Sequence, residues 1–244
     1  MSRVCVFGDV HGNLPAFEAV LAHACGCDAF WCVGDTVGYG PFPNESVNRV
    51  EELGAKCVSG NHDLGSSGGI SLLDFNVYAR AACEWTGRNL EERTREYLLS
   101  LPLRQNPMTD FLVVHGSPRD PVWEYILSSQ EAAVNFGQSS EAVCFHGHSH
   151  APAAFILSEE QKVDLVIPED GTEIVLVDGF RYLLNVGSVG QPRDGDPRAC
   201  YVIYQPGKEV VSYHRVPYPV TEVQEKMAEA GLPSILIKRL AFGR

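Results

Sequence analysis

The sequence lacks any apolar run that approaches the roughly 20 residues a membrane-spanning helix needs. It also has little positive charge, with 19 Lys and Arg against 31 Asp and Glu and a formal net charge of -12. A surface of this sign repels nucleic-acid backbones and anionic membranes at long range. A phosphate substrate is still allowed, because bound divalent cations can invert the potential inside one pocket.

A signal-peptide pattern is also absent, since Met1-Ser2-Arg3 leads directly into an apolar segment. The eight cysteines are spread along the chain, and most stand in apolar surroundings. This placement predicts buried free thiols and a cytoplasmic location. Cys25-Gly26-Cys27 would be half of a zinc site, but no second Cys-x-x-Cys or Cys/His pair stands near it. The thiols predicted to be buried are Cys5, Cys32, Cys57, Cys144 and Cys200.

The first 60 residues alternate between strand and helix patterns. Short apolar runs at 4–7, 29–33 and 56–59 predict buried strands, and helical spacing separates them. Asn13 is predicted to cap the first helix, with Pro15 in its first turn. The alternation favours a parallel sheet covered by helices, in which ligands bind at the carboxyl ends of the strands.

The rest of the chain has a different character. A Gly- and Ser-rich loop is predicted at 64–73. Two helices follow, which are expected to form a hairpin that packs on the core rather than a dedicated substrate lid. Two more strands are predicted at 111–114 and 143–145. Beyond them come strands without long helices between them, which predict a second, mostly antiparallel sheet. Two of these, 173–177 and 182–186, look like a hairpin around Gly179. Residues 221–240 are predicted to be helical. No linker, repeat or charge run divides the chain, so residues 1–244 are expected to form one domain.

Polar side chains follow the predicted strands, at the point where each strand ends. Seven of them carry oxygen or imidazole nitrogen donors, and none is a thiolate. Brought to one edge of a sheet, such donors form a two-metal site for divalent Mn, Fe or Zn. The seven candidate metal ligands are Asp9, His11, Asp35, Asn61, His115, His148 and His150.

His62 is then left beside the metals as an acid or base. Two ions about 3.5–4 Å apart can be bridged by one Asp, and they activate water for an in-line attack on phosphorus. The departing oxygen still needs a proton, which a histidine that binds no metal can supply. Taken alone, an Asp-x-His or Asn-His-Asp motif is more often a turn or a cap. The prediction depends on five groups occurring in order, each at the end of a strand.

At these residues the sequence resembles the calcineurin-like metallophosphoesterase superfamily. The matching motifs are Gly8-Asp9-Val10-His11-Gly12-Asn13, Gly34-Asp35, Gly60-Asn61-His62-Asp63, His115-Gly116 and Gly147-His148-Ser149-His150. Three further stretches resemble the small bacterial phosphodiesterases of that superfamily. They are Gly38-Tyr39-Gly40-Pro41, His115-Gly116-Ser117-Pro118-Arg119-Asp120 and Gly187-Ser188-Val189-Gly190-Gln191-Pro192-Arg193-Asp194.

The resemblance implies an α/β fold, a four-layer α/β/β/α sandwich of two mixed sheets flanked by helices. It also implies two divalent transition-metal ions bridged by Asp35. One ion would be held by Asp9, His11, Asp35 and His150. The other would be held by Asp35, Asn61, His115 and His148. His62 would contact phosphate and protonate the leaving group, with Asn61 beside it.

The sequence departs from the Ser/Thr protein phosphatases of this superfamily. Those enzymes carry Asp and Arg three and four residues after the bridging Asp, where this chain has Gly38 and Tyr39. The missing groups would orient the catalytic histidine and grip a phosphate monoester dianion. Their loss favours diesters and small nucleotides. His146 matches no ligand of the motif and is expected either to support the metal ligands from behind or to be structural. Arg193 is a candidate for binding substrate.

Three functions therefore compete. The first is hydrolysis of a phosphodiester or phosphomonoester in a small molecule, by a metal-activated water with His62 as the acid. The second is a non-catalytic scaffold of the same fold, although such proteins typically lack the catalytic histidine or several ligands. The third is a nuclease, which the acidic balance and the lack of a basic stripe with aromatics oppose. Neither nucleic acid nor a membrane is an expected partner.

Overall fold

The computed structural model describes residues 3–244, and two mixed sheets of six strands lie at its centre. In spatial order, the first sheet contains β3 (Lys56–Cys57), β2 (Ala29–Cys32), β1 (Val4–Phe7), β11 (Ala199–Gln205), β12 (Val210–Val216) and β9 (Glu173–Val175). The second contains β4 (Arg104–Gln105), β5 (Phe111–Val114), β6 (Val143–His146), β10 (Arg181–Asn185), β7 (Ala153–Leu157) and β8 (Val163–Val166). The helices are α1 (Leu14–His23), α2 (Pro43–Glu52), α3 (Asn61–Ser67), α4 (Val77–Asn89), α5 (Glu92–Ser100), α6 (Ser129–Phe136), α7 (Val220–Glu229) and α8 (Ser234–Arg239), with a 3-10 turn at Leu240–Phe242.

The two sheets pack face to face, and helices cover their outer faces. Side chains alternate along each strand, so Val4 and Val6 join the core between the sheets while Cys5 and Phe7 face outward. Helices α1 and α2 cover the outward face of the first sheet, and α6 covers that of the second. The result is the expected α/β/β/α sandwich. As predicted, Asn13 caps α1, and its side chain accepts a hydrogen bond from the backbone N–H of Ala16.

Within each sheet, three strands run parallel and lead toward the same edge. In the first sheet β1, β2 and β3 are parallel, and in the second β5, β6 and β10 are parallel. Carboxyl ends of parallel strands meet at one edge of a sheet, where loops can gather functional groups. Each of the other strands pairs antiparallel with its neighbours.

The predicted partition of the strands between the sheets is wrong. The strands after residue 150 do not form a separate sheet: β9, β11 and β12 join the first sheet, whereas β7, β8 and β10 join the second. The predicted hairpin around Gly179 is also wrong, since β9 pairs with β12 and β10 pairs with β6 and β7. Gly179 does occupy a turn, with φ of 83°. Alternating apolar residues identify a strand but leave its partner open.

The predicted loop at 64–73 begins as a helix, because α3 extends from Asn61 to Ser67. Asp63 stabilises its start by accepting a hydrogen bond from the backbone N–H of Gly60 at 3.1 Å. Gly68, in the left-handed conformation with φ of 89°, ends it. Low helix propensity of Gly and Ser misled the prediction, since burial and capping outweigh propensity here.

All eight cysteines are free, and the five predicted to be buried are buried. Cys25 is exposed and Cys27 is half-buried, and neither belongs to a group within residues 3–244 that could hold a metal ion. Across the same residues, no helix is long and apolar enough to cross a membrane. Helices α4 and α5 pack against α3, so the helical pair lies close to the edge where the parallel strands end.

Candidate active site

All seven predicted ligands come together at the carboxyl ends of the parallel strands, and all are buried. Loops after β1 and β2 carry three of them, α3 begins with Asn61, and loops after β5 and β6 carry the rest. Their donor atoms form two groups. One group contains Asp9, His11, Asp35 and His150, and the other contains Asp35, His115 and His148. Asn61 joins the second group, because its Oδ1 lies 3.1 Å from His115 Nε2. The two groups share only Asp35.

In each of the two carboxylates, Asp9 and Asp35, one oxygen accepts a backbone hydrogen bond and the other faces the cluster of donor atoms. Asp35 Oδ1 accepts a hydrogen bond from the backbone N–H of His62 at 2.8 Å, and Asp9 Oδ2 accepts one from that of His148 at 3.2 Å. The remaining oxygens, Asp9 Oδ1 and Asp35 Oδ2, are buried without any hydrogen-bond donor. A buried carboxylate oxygen without a partner is costly unless a cation balances it.

Backbone carbonyls fix the tautomer of each of the four imidazoles, through Nε2 in His148 and through Nδ1 in the other three. The ring nitrogens that face away from the cluster lie 2.6–3.1 Å from carbonyl oxygens of Val37, Val33, Trp123 and Gln191. A carbonyl can only accept, so each of these nitrogens carries the proton. When such a ring carries no second proton, its other nitrogen directs a lone pair at the cluster, as metal-binding histidines do. The rings are those of His11, His115, His148 and His150.

The donor set fits divalent cations. The Nε2 atoms of His11 and His150 are 3.0 Å apart. Burial is the main cause that lowers the pKa of both rings well below the usual value. Two neutral rings would then direct lone pairs at each other, and such an arrangement is favourable only around a shared cation. Imidazole nitrogens and carboxylate oxygens, together with one amide oxygen, suit Mn, Fe or Zn.

Five of the seven residues hold a left-handed backbone conformation, which is uncommon outside glycine. Their φ angles lie between 49° and 66°. Such a conformation costs on the order of 1–3 kcal/mol at each position and persists where the surroundings enforce it. Here the loops after β1 and β2 are joined by backbone hydrogen bonds, including His11 N–H to Asp35 O at 2.9 Å. The five strained residues are Asp9, His11, Asp35, His148 and His150.

His62 lies beside both groups without belonging to either. Its ring is 4.4 Å from that of Tyr39 and 4.8 Å from that of His11, between ring centroids. Its Nδ1 lies 3.2 Å from the thiol sulfur of Cys83 on α4. Burial raises the pKa of Cys83 to about 12, so this partner is a neutral thiol. Burial lowers the pKa of His62 to about 4, helped by the positive charge of Arg193, and outweighs the Asp35 carboxylate, which acts to raise it.

Two loops that belong to the stretches resembling small bacterial phosphodiesterases support the candidate ligands. After β10, Ser188 Oγ donates to the carbonyl of Asp9 at 2.9 Å and accepts from the backbone N–H of Gln191. The carbonyl of Gln191 in turn accepts a hydrogen bond from Nδ1 of His150 at 2.6 Å. After β5, Asp120 Oδ1 accepts from the backbone N–H of Trp123 at 3.1 Å, and so shapes the loop whose carbonyl orients His148. These residues hold the candidate ligands in place by hydrogen bonds.

Sequence reasoning missed two residues that shape the site. Asp63 is buried and joins two loops, since its carboxylate accepts from the backbone N–H groups of Val37 and Gly60, both at 3.1 Å. Cys83 was passed over because an isolated cysteine in a helix pattern has no sequence signature for contact with a histidine. A signal for Asp63 did exist, because an acidic residue three positions after Gly60 is typical of a helix start.

The two unassigned residues occupy different places. His146 is buried outside both donor groups, with Nδ1 3.3 Å from Asn185 Nδ2. Arg193 lines the cleft of about 170 Å³ that opens onto Asp35, Asn61 and His62. Its backbone N–H donates to the carbonyl of His150 at 3.1 Å, so it is attached directly to the cluster. The cleft is walled further by Asp74, Phe75, Trp123 and Tyr125.

Protons and metal ions should compete for this site. Burial raises the pKa of Asp9 to about 7. For His115, burial acts to lower the pKa, but the Asp35 carboxylate outweighs it and raises the pKa to about 9. In metal-free protein, His115 therefore carries a proton at pH 8, and Asp9 gains one as the pH falls through 7. Metal must displace these protons.

We therefore expect the affinity for Mn²⁺ to fall at least about a hundredfold between pH 8 and pH 6, because each displaced proton costs about tenfold per pH unit. Calorimetric titration in buffers of different ionisation enthalpy would measure both affinity and proton release. Release should rise from about one proton at pH 8 toward two at pH 6. An affinity that does not change with pH would contradict these pKa values.

Comparisons with known proteins agree with this geometry. The sequence profile of the calcineurin-like phosphoesterase superfamily domain matches residues 2–208. A metallophosphoesterase from Sphaerobacter thermophilus has a similar crystal structure, with 46% identity, a TM-score of 0.90, and coverage of 100% of this chain and 99% of that one. An uncharacterized protein of Methanocaldococcus jannaschii is 37% identical over 250 residues, covering 100% of this chain and 99% of its own.

A more distant relative is named for its activity. A symmetrical bis(5'-nucleosyl)-tetraphosphatase of Aromatoleum aromaticum is 29% identical over 166 residues, which cover 62% of this chain and 59% of that protein. The profile covers most of the chain, and the two full-length relatives align from end to end. With the buried Asp and His groups at the strand ends, these matches show that the chain belongs to the calcineurin-like phosphoesterase superfamily.

Proposed function

We propose that this protein is a metal-dependent phosphoesterase that hydrolyses phosphodiester or phosphomonoester bonds in small molecules. The observation that carries the proposal is the pair of buried donor groups sharing Asp35, with His62 beside them on the wall of an open cleft. In this proposal Asp9, His11, Asp35 and His150 hold one divalent ion. Asp35, Asn61, His115 and His148 hold the second.

The chain's own residues would then divide the work. When bound, divalent ions supply activated water and neutralise charge on the phosphoryl group. Asn61, His62 and Arg193 line the same cleft and would contact phosphate oxygens. His62 would protonate the leaving oxygen. Its pKa is about 4 in the free protein, and an anionic phosphoester within contact distance favours the protonated ring and shifts this pKa upward.

The surroundings of His62 favour diesters over the dianion of a monoester. The group that faces Nδ1 of His62 is the neutral thiol of Cys83 and not a carboxylate. Arg193 is the one arginine that lines the cleft, within the residues that the structure describes. A phosphate monoester dianion carries more charge than a diester and gains more from paired guanidinium groups. A diester or a nucleotide polyphosphate, with single charges on successive phosphates, suits this cleft better.

Gly38, which stands where the Ser/Thr phosphatases have Asp, is required by the packing around His62. Its φ is 136°, and a Cβ there would lie 2.5 Å from His62 Nδ1 and 2.9 Å from His11 Nδ1. Any side chain at this position would therefore displace the His62 ring. An Asp at position 38 is incompatible with the present arrangement, in which the Cys83 thiol takes the place facing Nδ1.

We expect Gly38→Ala to lower kcat about tenfold to a hundredfold, since displacing a reacting group by about 1 Å can cost a hundredfold. The free energy of unfolding should fall by about 1–3 kcal/mol from backbone strain alone. Gly171→Ala is the matched control, because Gly171 also has a positive φ, 83°, but a Cβ there would meet nothing within 4 Å. Equal kinetics in both variants would show that Gly38 is needed for backbone conformation only.

The proposal is tested with metal-stripped protein and a chromogenic phosphodiester, with and without added Mn²⁺. Activity that Mn²⁺ restores supports the esterase. Metal-loaded protein that is inert on diesters, monoesters and nucleotides would instead favour the scaffold. Single-stranded DNA or RNA cleaved as fast as the small diester would favour the nuclease, which the net charge of -12 opposes.

A further inference from the structure

A second and larger cavity, of about 550 Å³, adjoins the cleft at the metal site. Three residues line both spaces: Tyr39, Asn76 and Arg193. The far wall comes from the C-terminal segment 235–244, which follows the last strand and contributes no predicted metal ligand. A ligand held at the cleft would therefore extend toward this segment. The volume is within the range of small-molecule sites.

The cavity collects positive charge in a chain with a net charge of -12. Arg193, Lys238, Arg239 and Arg244 line it, and no Asp or Glu does. Within residues 3–244, none of these four side chains forms an ion pair with an Asp or Glu, although Arg239 Nε donates to the main-chain oxygen of Arg244. Burial, and then the charge of Arg193, lowers the pKa of Arg239. Cations gathered in a cavity without Asp or Glu side chains are typical of an anion-binding site.

The same cavity exposes apolar surface. Tyr78 is 46% exposed, Ile235 is 49% exposed and Phe242 is 64% exposed, and all three line the cavity. Aromatic faces of this kind bind planar rings by stacking. A sugar phosphate would bind to the cations but leave the aromatic faces exposed to water. A nucleotide would use both.

Arg193 connects the two spaces and is held in position. Its Nη2 lies 3.0 Å from Gln191 Oε1 and 3.3 Å from the hydroxyl of Tyr39. Its guanidinium carbon lies 5.6 Å from the centre of the Tyr39 ring, which adds a cation–π contact. Its Nε is buried without a partner, and the residue lines both the cleft and the cavity, so its charge lies at the boundary between them.

From these observations we propose that the cavity binds a nucleoside carrying at least one phosphate beyond the one attacked, so that the substrate is a nucleotide polyphosphate or a dinucleotide. Arg193 and Arg239 hold the additional phosphates, and the base lies against Tyr78 or Phe242. This inference rests on the proposed function for its catalytic meaning, but the binding site itself does not. Binding can be measured in the absence of hydrolysis.

The test compares adenosine diphosphate, inorganic pyrophosphate and adenosine by calorimetric titration into metal-stripped protein. Arg239→Gln should weaken both diphosphate and pyrophosphate binding, by about tenfold, because it removes one charge-assisted hydrogen bond. Phe242→Ala should weaken only adenosine diphosphate. Arg88→Gln, an exposed charge outside the cavity, is the matched control and should change neither. Unaltered melting temperatures would show that the variants fold.

Kinetics then connect the cavity to substrate choice. We expect Arg239→Gln to lower kcat/KM for diadenosine tetraphosphate about tenfold relative to that for bis(p-nitrophenyl) phosphate, chiefly through KM. Hydrolysis of the chromogenic diester without any adenosine diphosphate binding would overturn the cavity proposal and leave the esterase intact. Nucleotide binding without hydrolysis would keep the cavity and remove the esterase. Binding of a phosphopeptide in place of the nucleotide would overturn the nucleotide assignment.

Discussion

Asp35→Asn should reduce Mn²⁺-stimulated phosphoesterase activity to the level of metal-stripped protein. Asp35 is the one residue shared by the two donor groups, and its Oδ2 is buried without a hydrogen-bond donor. Burial acts against its charge, but the imidazoles of His115 and His62 hold its pKa well below the usual range, so it is an anion at every working pH. In the proposed two-ion arrangement, an amide in its place removes the negative charge between the cations. Losing a group that only orients a ligand costs about 10–100-fold, and losing the shared ligand should cost more.

Metal binding gives a readout that does not depend on the choice of substrate. Wild-type protein should gain stability on adding Mn²⁺, by about 2.7 kcal/mol at a hundred times the dissociation constant. Asp35→Asn should show little of this gain. Asp178→Asn, which changes an exposed carboxylate outside the site, should keep both the activity and the stabilisation. A variant that binds two ions and hydrolyses substrate normally would refute the shared-ligand assignment.

His62→Ala should lower kcat by about a hundredfold or more on esters with poor leaving groups, since general acid catalysis contributes about 10²–10⁴-fold. His62 lines the cleft, and in our proposal its ring protonates the departing oxygen. A p-nitrophenolate leaves readily without a proton, whereas an unsubstituted phenolate needs one. The loss should therefore be larger for a methyl phenyl phosphate than for methyl p-nitrophenyl phosphate.

This comparison separates proton donation from simple positioning. If His62 only binds phosphate, the variant should lose the same factor on both esters. His23→Ala is the control, because His23 is exposed on α1 and contacts Tyr201, far along the chain from the ligands. Metal content should be unchanged in both variants, since His62 belongs to neither donor group. Equal losses on the two esters would refute the acid role and keep the esterase.

The neutral thiol facing His62 sets this site apart from the arrangement that a carboxylate would give. A carboxylate beside Nδ1 would stabilise the protonated ring at all times. Cys83, with its pKa raised to about 12 by burial, leaves protonation of His62 to depend on the bound anion. Gly38 keeps this arrangement, because the space that a side chain would need is filled by the His62 and His11 rings.

The sequence by itself determined the identity of the strands that lead to the site and the polar residues that follow them. Short apolar runs such as 4–7 and 111–114 are too brief for helices and end in glycine or histidine. Since parallel strands deliver their carboxyl ends to one edge, the meeting of Asp9, Asp35 and Asn61 followed from local pattern and topology. The four-layer fold, in contrast, came from the family resemblance.

Only the tertiary structure decided which strands became neighbours and what surrounds each donor. β9 and β10 are close in sequence but lie in different sheets, because backbone pairing depends on long-range partners that alternation does not encode. The Cys83 thiol reaches His62 from a helix 21 residues away. The cavity beside Arg193 is walled by a segment more than 40 residues downstream. Contacts of this kind depend on how helices pack on the finished sheets, so no local pattern could have predicted them.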